Sequence, residues 1–155
     1  MTQDEPSHRS FTTRLFAAAR LWRRCIDAAL SEHAISEATA APLLWIGRMG
    51  GGVRQIALAE QIGIEGASLV RLLDQLEGMG YILRKDDPTD RRAKGLWLTS
   101  AGEEMAGKLE ALLDEERSRL LHDIPLADLE TALRVITVFN DRCAAARSAR
   151  TRGEA

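Results

Sequence analysis

Between Val53 and Gly80 the sequence reads "VRQIALAEQIGIEGASLVRLLDQLEGMG", two short helical patterns separated by a few residues, and no other stretch constrains the fold as much. The first pattern covers about 54 to 61, with Ile56, Leu58 and Ile62 directed inward and Gly63 where a left-handed cap is expected. The second begins at about Gly66, places Leu69, Leu72, Leu73, Leu76 and Met79 on one face, and stops at Gly80. Two helices joined through a tight glycine turn predict a helix-turn-helix. The face of the second helix opposite its leucines carries Ala67, Ser68, Arg71 and Gln75, small or hydrogen-bonding residues gathered toward its N-terminal end.

The flanking sequence completes the architecture. "YILRK" reads as a strand, "DDPTDRRAKG" as a turn with basic flanks, and "LWLT" as the returning strand, a hairpin wing appended to the second helix. Ser100 and Glu103 form a capping box that starts a helix running to about Leu121, with Met105, Leu109, Leu112 and Leu113 apolar, and Pro125 closes that segment. A last helix of about 126 to 147 bears Leu129, Leu133, Ile136, Phe139 and Cys143 on one stripe. On the N-terminal side, Leu15, Ala19, Trp22, Ile26 and Leu30 recur at helical steps over 11 to 30. A helix of about 37 to 49 follows, capped by Ser36 or Thr39. Pro42 fits a first turn in the second case and disturbs the helix in the first. The glycine-rich "GMGGG" ends it in a loop. The expected fold is mainly α with a small β wing: a winged helix-turn-helix of six helices that dimerises through its terminal helices. Residues 1–155 make one domain, with dimerisation helices at 11–35 and 108–147, the winged region at 36–106, and mobile tails at 1–10 and 148–155.

Composition excludes more than it assigns. The formal net charge is −2, so an affinity for polyanions has to come from local charge. Cys25 and Cys143 stand outside any CxxC or CxxxH spacing, which argues against a disulfide scaffold or a cysteine-based zinc site. His8, His33 and His122 form no i, i+4 ligand pair, so no metal is expected. No nucleophile elbow or carboxylate pair is found, and "GMGGGV" lacks the Lys and the preceding strand of a phosphate-binding loop; neither an enzyme nor a cofactor is implied. The polar N-terminus and the lack of a long apolar run predict a cytoplasmic protein without a membrane partner.

A helix that enters the major groove reads base edges through donors and acceptors near its N-terminus. Arg71 has the fork that pairs bidentately with guanine, Ser68 serves a phosphate or a base edge, and Gln75 lies further along the same face. Residues 53 to 99 carry seven basic and seven acidic side chains, so the distribution of charge decides, and "DRRAK" concentrates Arg91, Arg92 and Lys94 at the wing. An arginine at a hairpin tip can enter a narrow minor groove, while Asp90 holds one guanidinium in place and lets the other project. The plainer alternative for Arg71 is a solvated residue paired with Asp74 or Gln75, and for "DRRAK" a solvated turn.

The stretch "IALAEQIGIEGASLVRLLDQLEGMGYILRKDDPTDRRAKGLWLTSAGEEM" resembles the winged helix-turn-helix core of MarR-type transcriptional regulators, most of all their SlyA-like branch. The matching motifs are "LAEQIGI", "SLVRLLDQLE" with "GMGYI", and "DPTDRRAKGLWLTSAG", over about residues 53 to 106. The resemblance implies a triangular homodimer with the first, fifth and sixth helices interleaved. It also implies major-groove contacts by Ser68 and Arg71, a minor-groove contact by Arg91, and Asp90 bracing Arg92. Two-fold symmetry then implies a near-palindromic duplex operator. Members commonly release DNA when a small phenolic or aromatic carboxylate binds, and Arg20, Trp22, Arg23, His33 and Trp45 are the candidates to line such a crevice. The expected function is a sequence-specific DNA-binding repressor released by such a ligand. The alternatives are a redox sensor of the same fold acting through Cys25 or Cys143, and a winged-helix protein adaptor.

Overall fold

A computed structural model describes residues 5–33, 35–87 and 90–153, without the side chains of Glu5, Glu32, Asp87, Asp90–Ala93 and Thr151–Gly153. Among the described residues the order is α1 (Glu5–Leu30), a 3-10 turn (Ser31–His33), α2 (Glu37–Arg48), β1 (Val53–Arg54), α3 (Gln55–Ile62), α4 (Gly66–Gly78), β2 (Ile82–Asp87), β3 (Asp90–Leu98), α5 (Ser100–Leu121) and α6 (Leu126–Gly153). The chain forms two compact units, residues 1–116 and 117–155. The six helices and the wing of the winged helix-turn-helix are all present.

In the first unit the core is aliphatic. Leu30, Leu43, Ile46, Leu58, Leu69, Leu73, Leu76 and Leu109 are almost completely buried, and they come from all five helices of that unit. Ile82 and Leu96 add the sheet to the same cluster. Each such side chain contributes about 1.5–3 kcal/mol relative to exposure, so α4 is held on one face by three leucines while its other face stays in solvent.

Helix ends follow local chemistry. Ser36 is the α2 cap: its hydroxyl accepts from the Thr39 backbone N–H at 3.2 Å. Pro42 therefore lies inside α2, buried, and removes one N–H from the ladder without ending the helix. Gly63, at φ 75°, supplies the left-handed cap of α3. The start of α5 differs from the expected capping box. Thr99 is the cap, with its hydroxyl accepting from the Gly102 N–H at 3.0 Å, and the Glu103 N–H bonds to the Thr99 carbonyl at 2.8 Å. Ser100 is already the first helical residue, one position too late to cap. Thr99 also donates to the Gly80 carbonyl at 2.7 Å, tying the exit of α4 to the start of α5. Thr99→Ala should therefore lower stability by about 1–2 kcal/mol, read as a drop in the urea midpoint at unchanged slope.

Four further differences have physical causes. Ile56 is 77% exposed instead of inward, because two residues from the fully buried Leu58 an α-helix has turned about 200°. Met79 is exposed because it is the α4 C-cap, where the chain leaves the helix through Gly80. Residues 53–54 form a third strand, Val53 opposite Leu96 and Arg54 opposite Gly95, giving the sheet order β1-β3-β2. A two-residue strand has no period to read. The wing strands are also longer than their apolar runs: β3 begins at Asp90, so "DRRAK" belongs to a strand and not to the turn. Opposite charges extend that ladder, with Lys94 across from Asp86.

The terminal helices run past their apolar stripes, α1 from Glu5 and α6 to Gly153, so residues 5–10 and 148–153 are helical where tails were expected. Pro6 is tolerated in a first turn, and Ala149 and Arg150 are good helix formers that carry α6 onward. No described side chain of α6 is buried within the single chain; Leu126, Leu133, Val135 and Val138 are exposed. On α1, Phe16 and Leu21 are exposed as well, whereas Ile26 and Leu30 enter the core.

Candidate nucleic-acid interface

The geometry of α4 separates two faces. Leu69, Leu73 and Leu76 recur at steps of four and three and are buried. Ser68, Arg71 and Gln75, at steps of three and four, are exposed on the other side with Ala67. Glu65, at the N-cap position, provides no side-chain cap, so the first-turn N–H groups of α4 are not taken up by a capping side chain. That end of the helix suits a phosphate.

Arg71 makes no ion pair or hydrogen bond with Asp74 or Gln75 among the described residues. Asp74 is engaged elsewhere. Arg84, on β2, donates to Asp74 Oδ1 at 2.6 Å through Nη2 and to Glu77 Oε2 through Nη1. The arginine of the pair that is more buried is thus spent on bracing, and the one on the outer face of α4 keeps its donors. Sequence reading missed Arg84. Its signal was two carboxylates three residues apart on the helix, followed through a tight turn by a strand with one inward cation.

On the wing, Lys94 is exposed and lies opposite Asp86. Asp90, Arg91 and Arg92 belong by backbone to β3, but their side chains lie outside the described residues, and so does the expected brace between Asp90 and Arg92. Lys85 sits 6.0 Å above the Trp97 ring. That indole packs so closely on the loop before β1 that a Cβ on Gly51 would stand 2.6 Å from Trp97 Cδ1. A cavity of about 190 Å³ beside it is lined by Ile46, Gly47, Gly50, Gly51, Trp97, Leu98 and Glu103.

The residues expected to line a ligand crevice are spread over α1, the 3-10 turn and α2. Trp22 and Trp45 are partly buried against the same core cluster, while Arg20, Arg23 and His33 are exposed. Arg23 pairs with Glu37 at 3.8 Å. Among the described residues no hydrogen bond, ion pair or cation–π contact joins Arg20, Arg23 or His33 to either tryptophan. The cation on Trp45 is Arg48, 5.2 Å from the ring centroid and one helical turn further along α2. Arg48 also forms a bidentate pair with Glu110 of α5, at 2.6 and 3.0 Å. The hydrogen bond to Glu110 raises the Arg48 pKa above its ordinary value, desolvation opposes this, and the charges of Glu110 and Asp114 add to the rise. As both partners are about a third exposed, the pair contributes at most about 1 kcal/mol. Cys25 is partly buried, whereas Cys143, on the apolar stripe expected for α6, is exposed.

Comparison with known proteins agrees with this fold. Residues 35–94 match the MarR family model. The crystal structure of transcriptional regulator PA3341 superposes with a TM-score of 0.82 at 31% identity, covering 86% of this chain and 98% of that one. CouR from Rhodococcus jostii RHA1, bound to p-coumaroyl-CoA, superposes at 0.77 with 22% identity, covering 83% and 90%. The transcriptional regulator SlyA gives 0.77 at 15% identity over 86% and 93%. Among the described residues no helix is long and apolar enough to cross a membrane.

Proposed function

Because the chain belongs to the MarR family of DNA-binding transcriptional regulators, we propose that it acts as a homodimeric repressor that reads a near-palindromic duplex operator and releases it when a small aromatic or phenolic carboxylate binds. One observation carries the reading: α4 is fixed from below by three buried leucines and presents Ser68, Arg71 and Gln75 outward, with Arg71 unpaired among the described residues. In the major groove Arg71 would fork onto a guanine, Gln75 onto a neighbouring base edge, and Ser68 onto a base or phosphate. Lys94, Arg91 and Arg92 would supply the wing's phosphate and minor-groove contacts, with Asp90 holding Arg92.

The dimer is supported by the uncovered apolar side chains of α6 and of α1, since soluble monomers rarely leave such stripes in water. Two copies then set half-sites about one helical turn apart. For the effector, the p-coumaroyl-CoA held by CouR is compatible with a phenolic class, and Trp22, Trp45, Arg20, Arg23 and His33 are the residues proposed to meet it.

The test is fluorescence anisotropy at near-physiological salt, with the duplex upstream of the protein's own gene against a shuffled duplex. A preference of about a hundredfold or more is expected, with two chains bound per duplex and release by hydroxybenzoic or hydroxycinnamic acids. Equal weak binding to both, persisting across neighbouring intergenic duplexes, would replace the regulator with a protein adaptor. On the same assay Lys94→Ala should weaken operator and shuffled duplexes alike and make the salt slope shallower by about one unit. A change confined to the operator would mean that Lys94 reads sequence.

A further inference from the structure

Beside the outward face of Arg71, the flank of α4 that turns toward β2 carries two carboxylates. Asp74 lies one turn beyond Arg71, and Glu77 one turn beyond Asp74. Both are substantially exposed, with 59% and 42% of their side-chain surface accessible. Two negative charges beside a groove-reading arginine would meet DNA phosphate as like charge, an arrangement that costs affinity steeply where the interface excludes water. The cation that answers them comes from the wing. Arg84 is only 23% accessible and places one guanidinium nitrogen on each carboxylate, Nη2 on Asp74 and Nη1 on Glu77.

Resting on the DNA-reading role of α4, we propose that Arg84 is a positioning residue for recognition that acts by charge: it neutralises Asp74 and Glu77 so that the outer face of α4 can approach the phosphates. A mere clamp between helix and strand would not need a partner that satisfies both acids. The core already provides that clamp, because Leu76 of α4 and Ile82 of β2 are both buried in it, and the Tyr81 N–H bonds to the Leu76 carbonyl at 3.0 Å. The ion pairs therefore add little that packing lacks. Their distinct effect is to neutralise two negative charges at the edge of the face that would meet DNA.

The experiment compares the parent, Arg84→Ala, the triple variant Arg84→Ala, Asp74→Asn, Glu77→Gln, and the double variant Asp74→Asn, Glu77→Gln, each titrated on operator and shuffled duplexes over a range of salt. Arg84→Ala should lose about tenfold or more in operator affinity at moderate salt, and the loss should shrink as salt rises. The triple variant should return to within about threefold of the parent, because the repelling charges are gone although the clamp is still missing. The double variant, with Arg84 freed, should bind both duplexes more tightly and steepen the salt slope by about one unit, a result that stands even if Arg84→Ala fails to fold. A triple variant as weak as Arg84→Ala would overturn the charge role and leave a geometric one. Arg84→Ala binding like the parent, or a double variant indistinguishable from it, would overturn the proposal outright. If the parent itself shows no operator preference, what falls is the regulator reading on which this role depends.

Discussion

Arg71→Ala should lose about tenfold to a hundredfold in operator affinity, roughly 1–3 kcal/mol, while binding to a shuffled duplex falls by much less. The asymmetry follows from geometry. Arg71 stands on the outer face of α4, one residue past Val70 and two past the buried Leu69, so its guanidinium extends away from the core. The acid that might have held it, Asp74, is taken by Arg84. A guanidinium with free donors at that position can satisfy O6 and N7 of one guanine at once, and alanine cannot. Arg71→Lys separates the two contributions: it keeps the charge and loses the fork, so non-specific binding should persist while base preference relaxes. Competition titrations against operators mutated one base pair at a time would locate the guanine. Should Arg71→Ala keep the parent's preference at every position, the recognition role belongs to another residue of the face, with Gln75 the next to test.

What could be read in advance, and what could not, divides along one physical line. Features encoded within a few residues were legible: the Gly63 cap, the leucine steps of α4 and the outward set Ser68, Arg71, Gln75 all follow from helical period and turn chemistry. Features created by chain segments meeting were not. β1 exists only because Val53 and Arg54 find Leu96 and Gly95 some forty residues later, and β3 extends through polar residues because its partner strand is there. Ile56 looked like core by composition and lies outside by phase. The Arg84 pairs and the contact of Arg48 with Trp45 and Glu110 likewise depend on which helix meets which strand. The terminal helices were legible as amphipathic, but what covers their exposed apolar side chains depends on assembly and not on sequence period. Family membership bridges part of this gap, since it gives the fold in which these segments meet, but it leaves the choice of base and of effector to side chains particular to this sequence.

Gly102→Ala should be the most damaging single methyl group in the winged region. An ideal Cβ at that position would stand 1.9 Å from the Tyr81 carbonyl oxygen and 2.9 Å from its carbon, both backbone atoms with no rotamer to change. Nor can Tyr81 step aside. Its N–H bonds to the Leu76 carbonyl at 3.0 Å and its carbonyl accepts from the Thr99 N–H at 3.0 Å, so moving it pulls on the exit of α4 and the return of the wing together. Overpacking against fixed backbone costs about 3 kcal/mol or more, which in a chain of this size lowers Tm by roughly 10 °C. Gly107→Ala is the internal control: it lies in the same helix with nothing within 4 Å of its would-be Cβ, and should stabilise by about 0.5–1 kcal/mol through helix propensity alone. Opposite shifts for the two substitutions in differential scanning calorimetry would establish that α5 touches the Tyr81 carbonyl at Gly102. Equal shifts would mean that the helix does not approach the wing so closely. Operator affinity adds a second readout, because the displaced Tyr81 lies between Gly80, just past the C-cap of α4, and β2, which carries Arg84. A Gly102→Ala protein that is still folded at 20 °C should therefore bind DNA more weakly than its remaining stability alone would suggest.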